Sequence, residues 1–315
     1  MRHYIISAVT RDYAKMKKVW HCKRQNLPSP YSRHEYSDGE VIFYSEDHNI
    51  RWKRIVPFPM GIEIAGSCVY VCTENHITIF DVNNGQTIGE IHHPLFNDLH
   101  SIVQDSLNPG CFLVASSGSD RILLLNSAGQ VTWQWSAVEH GFERTLENRL
   151  KAEHQHWDDK LIPTKEQSTH VNYAIRANNG LITASLLHQG KIIEIMPNGD
   201  YRELLTELSK PHSVHSLNKN VYVCANSNAK EILFFCPKKI LSRWIGQGWI
   251  QNLTITPDGI YYIDADWGDV GLLRYKEYQH VFTHLEPPHS SLLIHHVLKR
   301  FPSHYRLFDI KSYAE

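Results

Sequence analysis

The chain is poor in the features that mark most specialised proteins. No apolar run approaches the roughly 18–20 residues that a membrane span requires, so no membrane partner is expected. Its 32 basic and 33 acidic side chains leave a formal charge of −1, and apart from KMKK and KRQN near the N-terminus the positive residues are dispersed. No net field draws it to nucleic acid, which is likewise not expected as a partner. The opening MRHYIISAVTRDYAK holds only about five apolar residues between charges, too few for a secretory segment, and the expected location is cytoplasmic. The six cysteines stand singly with no CxxC pair, which argues against disulfides and thiolate metal sites and predicts free thiols. GxSxG, Walker and dinucleotide signatures are all missing, and the glycines of GQGWIQN lack the strand–helix setting that cradles phosphate.

What the chain does have is an ordinary core composition, 42% apolar and 21% charged, and a repeat. Five segments, beginning at Gly61, His100, His170, His212 and Gln251, share one layout of short alternating strands. Turn signals (NNG, NSAG, PNG, TPDG) punctuate them, with Gly85, Gly129, Gly199 and Gly259 supplying the left-handed backbone that tight reversals need. Third-strand starts at Ile77, Ile122, Ile192, Ile232 and Leu272 recur at roughly 40 residues, the period of propeller blades, with one longer gap. HYIISAV, KKVWHCK and VIFYSED before the first repeat, with SSLLIHHVL and RLFDIKS after the last, read as strands of a composite blade. Pairing of the two ends would close the ring and remove open sheet edges. The expected fold is an all-β, six-bladed propeller, with five blades as the alternative, in one domain over 1–315.

The longer gap is an insertion over 136–169, a candidate lid over the channel mouth or a loop packed on a blade. Within it, ERTLENRLKAEHQHW places Leu146 and Leu150 at i, i+4 spacing, predicting a short amphipathic helix; were the insertion a lid, His154 and His156 would reach over the channel.

Histidine, at 21 residues, is the compositional oddity. His100, His170 and His212 open the innermost strands of consecutive blades in LHSIVQ, THVNYA and PHSVHS. Innermost strands line the channel, so three imidazoles at one height are candidate ligands for a divalent metal, zinc first, with iron or manganese also suited. A metal-free histidine cluster is the competing reading. Gln251 and Gly61 hold the corresponding places in the flanking blades, with Glu63 nearby. Gln104, Asn172, Gln251 and Asn252 are candidate substrate contacts, and His215 and Glu63 candidate proton carriers. Arg176 reads as an inter-blade salt bridge, the small polar residues ending the second strands as turn ties, and the tryptophans, Trp249 among them, as inter-blade packing. Asp264, Asp266 and Asp269 form a weak candidate oxygen-ligand loop.

With HSIVQD, HVNYAIRANNG and PHSVHS, each followed by DRILLLNSAGQVTW-type strand pairs, the region of about residues 60–285 resembles NHL, arylsulfotransferase and streptogramin-lyase-like propellers at the level of the repeat. That resemblance implies an active site at one channel mouth. The peptidyl-amidoglycolate lyase domain is similar in binding zinc through channel histidines, for which His100, His170 and His212 qualify, while its other catalytic residues have no clear match. The arylsulfotransferase resemblance would make one of the three a transfer nucleophile. The resulting expectation is a metal-dependent lyase, hydrolase or cyclase acting on a small polar metabolite. The alternatives are a non-catalytic propeller scaffold binding a protein or ligand, or a metal-free His-nucleophile transferase. Oligomeric state is not legible.

Overall fold

The computed structural model describes all residues except 1, 26, 33, 34, 36, 46, 48, 152–160, 258, 276–292 and 315. Six four-stranded antiparallel sheets form a ring. Five of them run in sequence order from the channel outward. The inner strands of blades 2 to 6 are Ile62–Ala65, Leu99–Gln104, Val171–Arg176, Pro211–Ser216 and Ile250–Thr256. Blade 1 is composite. Its inner strand is the C-terminal Arg306–Ala314, paired antiparallel with Arg2–Thr10, followed by Asp38–Tyr44 and Ile50–Pro57. The six-bladed reading therefore holds, and the five-bladed alternative does not.

The core follows from the stacking. A blade presents two apolar faces, and each is covered by a neighbour, so middle strands such as Phe112–Ser116 are buried at every position while outer strands alternate. One apolar cluster fills each of the six interfaces, including the one where blade 6 meets blade 1. Ile77, Ile122, Ile192 and Ile232 are all 0% exposed, and truncating any of them would cost about 2–5 kcal/mol. Strand register makes Val270, not Leu272, their equivalent in blade 6, because Ile263 pairs with Val270 as Ala225 pairs with Ile232.

Three expectations change. KKVWHCK is not a strand but part of the α-helix Tyr13–Arg24. Tyr13, Met16 and Val19 recur at a spacing of three and pack into the interface of blades 2 and 3, while Lys15, Lys17 and Lys18 face outward. Asp12 starts the helix by accepting the Lys15 N–H at 3.1 Å. The segment SSLLIHHVL contributes to the outer strand of blade 6, Leu293–Arg300, rather than to the composite blade. The helix foreseen in the insertion is not seen among the described residues: 143–151 form a turn closed by an Arg144–Leu150 bridge, with Asn148 at φ +57°. Leu146 and Leu150 are exposed, so that helix would have had no apolar surface to bury. His154 and His156 lie outside the described residues. All six cysteines are free, as expected. No described helix is long and apolar enough to cross a membrane.

Closure centres on Asp309. Its carboxylate accepts the Ile62 N–H of blade 2 at 2.7 Å and the Asn252 amide of blade 6, tying the last strand to both neighbours. Deleting residues from Arg306 onward should leave blade 1 without its inner strand and expose the paired edge of Arg2–Thr10. The expected result is a non-cooperative thermal melt by circular dichroism and aggregation on gel filtration.

Candidate functional site at the channel mouth

Strand pairing defines equivalent positions around the mouth. Leu99, Val171, Pro211 and Ile250 face Ser116, Leu186, Asn226 and Asp264 in successive blades. The residues just before them are Asp98, His170, Lys210 and Trp249, and those just after are His100, Asn172, His212 and Gln251. His100 and His212 are therefore equivalent, but His170 belongs to the preceding tier, a correction to the expectation that all three stand at one repeat position. The offset lies in where each ladder begins: the histidine precedes the first paired residue in blade 4 and follows it in blades 3 and 5.

Asp98, His170 and Lys210 share a left-handed backbone, with φ of 54°, 47° and 56°. Such a conformation costs a non-glycine residue about 1–2 kcal/mol. It is held by the neighbouring strand: Ser117, Leu187 and Ser227 donate their N–H groups to the carbonyls of Asp98, His170 and Lys210. The same turn aims two of these carbonyls at the next imidazole. His100 Nδ1 donates to the Asp98 carbonyl at 2.9 Å, and His212 Nδ1 to the Lys210 carbonyl at 3.1 Å. His170 Nδ1 meets Gln167 Oε1, while Gln167 Nε2 donates to Asp98 Oδ2 at 2.9 Å and to the Ile162 carbonyl at 3.0 Å. Carbonyl oxygens only accept, so each Nδ1 carries the proton and each Nε2 keeps a lone pair.

The rings converge unequally. His100 and His170 lie 4.4 Å apart edge to face, and one ligand atom each from Asp98, His100 and His170 falls within 4.8 Å of the others. His212 is outside that trio and packs edge-on to Trp249 at 5.3 Å. Phe308 lies 5.5 Å from His100, and His188 lies 5.4 Å from His170. Burial, reinforced by His100, pushes the His170 pKa well below its usual value and that of His212 down to about 3. Both are neutral at physiological pH.

Asp120 anchors the insertion at Lys151 and at Ser168–His170. Fully buried, its carboxylate accepts the N–H groups of Ser168, Thr169 and His170 at 2.7, 2.9 and 2.8 Å, the Thr169 hydroxyl at 2.7 Å, and Lys151 Nζ. Burial raises its pKa, but Lys151 and these donors outweigh that and hold it below the ordinary carboxylate range. Asn97 Oδ1 accepts the Ile162 N–H at 2.9 Å, and a methyl on Gly118 would collide with that same oxygen.

Other expected site residues are placed elsewhere. Asn172 donates to the Pro211 carbonyl at 3.1 Å and accepts from Ser185, and Asn252 is bound to Asp309, so both tie blades together. Gln104 lies about 13 Å along the strand from His100, with its N–H on Glu63 Oε2 at 3.3 Å. Glu63 also pairs with Lys311 at 3.3 Å, and His215 packs on Tyr173 with its Nε2 on the Leu253 carbonyl at 2.9 Å. Glu63 and His215 thus belong to a lower channel cluster and not to the mouth. Gln251 is at the mouth, where its Oε1 accepts the Trp249 indole N–H at 2.8 Å. Arg176 forms the expected inter-blade ion pair with Asp105 at 2.9 Å, whereas Ser117 and Ser227, expected as local turn ties, donate to carbonyls of the next blade. The aspartate loop holds no ligand cluster among the described residues: Asp264 caps the Gly248 N–H and Asp269 pairs with Arg300. The residues missed by sequence reasoning are Asp98, Gln167, Asp120, Lys210 and Trp249. The only local signal was the shared spacing of Asp98, Lys210 and Trp249, each two residues before His100, His212 and Gln251.

Comparison with solved structures finds propellers. A protein of unknown function from Bacteroides caccae matches over 100% of both chains at 12% identity with a TM-score of 0.60. A chain of a nidogen/laminin complex covers 98% of each at 13% identity with a TM-score of 0.58. A streptogramin B lyase covers 74% of this chain and 72% of its own at 13% identity with a TM-score of 0.51. At such identities the likeness shows the fold. No protein-family model and no curated protein matches the sequence.

Two outcomes follow from these electrostatics. Asp120→Asn should leave the Lys151 ammonium buried without its counter-charge and cost about 3–5 kcal/mol in urea unfolding, more than a neutral Asp120→Asn/Lys151→Met pair. Stability should also fall in acid. Burial, aided by Lys311, lowers the His215 pKa to about 3, as burial does for His212, against 6.5 for the free side chain. Unfolded chains bind these protons below 6.5 and the folded protein does not, so stability present above pH 6.5 is lost progressively toward pH 3. Asp309, raised to about 7 by burial, acts oppositely, its contribution declining as pH rises from 3.8 to 7. His215→Asn should make the urea midpoint less sensitive to pH between 6.5 and 4, by up to about 1.4 kcal/mol per pH unit.

Proposed function

We propose that the channel mouth is the active site of a metal-dependent enzyme of lyase, hydrolase or cyclase type. His100, His170 and Asp98 would hold a divalent ion, with His212 beside it. The observation that carries this reading is the common tautomer: the buried, neutral His170 and His212 and the half-buried His100 each donate Nδ1–H to an oxygen of the protein and leave the Nε2 lone pair available. Oriented, deprotonated nitrogens backed by hydrogen-bond acceptors are what metal ligation requires. An imidazole with a pKa near 3 is a poor proton carrier at neutral pH, so His212 suits lone-pair donation better than general acid–base work. Adding Asp98 to two histidines suits iron or manganese as well as zinc. The ion would supply Lewis acidity or an activated water. Asp120 and Gln167 would keep His170 on station, and Lys210 and Trp249 would meet the substrate. The fold shared with a streptogramin B lyase supports the lyase class.

A metal-free reading, with an Nε2 as nucleophile toward an electrophilic group, is favoured by one observation. Arg306 and Lys210 both place positive charge near His212, which a dication would have to oppose.

Elemental analysis of the untagged protein after anaerobic reconstitution separates the two. The expected result is about one equivalent of zinc, iron or manganese, lost in His100→Ala/His170→Ala while a cooperative melt persists. Absence of metal from the wild type would overturn the metal reading and leave the nucleophile reading.

A further inference from the structure

We propose that the mouth recognises an organic anion, its charged group on Lys210 and its flat apolar part against Trp249. This deepens the active-site reading above and rests on the mouth being a binding site, but not on its holding metal.

Lys210 is exposed, and among the described residues no carboxylate lies within ion-pairing distance of it. Two neighbouring cations among the described residues are engaged. Arg306 bonds Asp266 at 3.1 Å and the Tyr13 hydroxyl at 3.0 Å, and Lys151 is buried against Asp120. Lys210 also stands at a left-handed backbone position where glycine or asparagine would be easier to accommodate. Its carbonyl is fixed from both sides, by the Ser227 N–H and by His212, so the ammonium is carried on a rigid turn rather than a loose loop. Its charge reaches the site: Lys210 contributes to lowering the pKa of His170, His188 and His212.

Trp249 supplies the second element. Lys210 Nζ lies 5.9 Å from the centre of its ring, and the indole is oriented by its bond to Gln251 and by the edge of His212. The indole is only half-buried, leaving surface for a ligand. Trp267, 52% exposed, stands on the neighbouring turn, whose Asp266 accepts the Trp249 N–H at 3.0 Å. An unpaired ammonium above a positioned indole, next to three imidazole lone pairs, favours a carboxylate, phosphate or sulfate attached to a planar group.

Fluorine NMR titrations with para-fluorobenzoate, para-fluorophenyl phosphate and neutral para-fluorobenzamide test this, using EDTA-treated and metal-reconstituted full-length protein. Both anions should bind the EDTA-treated protein, and the amide about tenfold more weakly. Lys210→Ala should weaken anion binding by about tenfold and Lys210→Arg by much less, while Trp249→Leu should weaken all three probes. Comparing the two anions shows whether carboxylate or phosphoryl geometry fits better. Equal affinity for benzoate and benzamide, or benzoate binding untouched by Lys210→Ala, would overturn the proposal. Lack of metal uptake alongside Lys210-dependent anion binding would sink only the metal reading.

Discussion

A buried carboxylate must find donors or stay uncharged, and Asp120 finds five within one shell, three of them backbone N–H groups in succession. That constraint decides where the long excursion between blades 3 and 4 rejoins the ring. Because the last of the three N–H groups belongs to His170, the anchor that fixes the insertion also fixes an imidazole at the mouth. Lys151, from the other side of the same excursion, supplies the counter-charge and pins the loop to the Gly118 carbonyl at 3.0 Å. Removing this anchor would cost both stability and site geometry, because the two share one set of hydrogen bonds.

Around that anchor the mouth is assembled by a repeated backbone device. Left-handed residues before three inner strands turn their carbonyls against the preferred conformation, and ladder N–H groups hold them there. At Asp98 and Lys210 the same carbonyls select the tautomer of the following histidine, so local strain is converted into chemical definition. At His170 the strained residue is itself the imidazole, and Gln167 substitutes for the missing carbonyl.

Deeper in the channel the character changes. Glu63, Lys311, Tyr173 and His215 form a compact cluster in which burial raises the Tyr173 pKa to about 12 and an ion pair balances the charges. The mouth offers lone pairs and an unpaired cation; the floor holds the Glu63–Lys311 ion pair and a His215 bonded to the Leu253 carbonyl. Residues spaced three or four apart on one inner strand therefore serve different tiers, as His212 and His215 do.

Much of the ring was readable in the chain. The isoleucines at Ile77, Ile122, Ile192 and Ile232 repeat because every third strand must fill the same inter-blade gap, and that periodic demand is written locally. His100, His170 and His212 could likewise be picked out beside the inner strands. Their geometric relation could not, since whether a histidine precedes or follows the first ladder pair of its strand is set by pairing with the next strand. Nor could KKVWHCK be assigned safely, because its helix is decided by the apolar cleft that receives Met16 and Val19. The sequence by itself determined a propeller built from repeats and three histidines at its channel. Only the tertiary structure decided that Asp98 joins two of them, that Asp120 positions one, and that Glu63 and His215 belong to another tier. Those relations are contacts between residues far apart in the chain, and short-range periodicity carries no record of them.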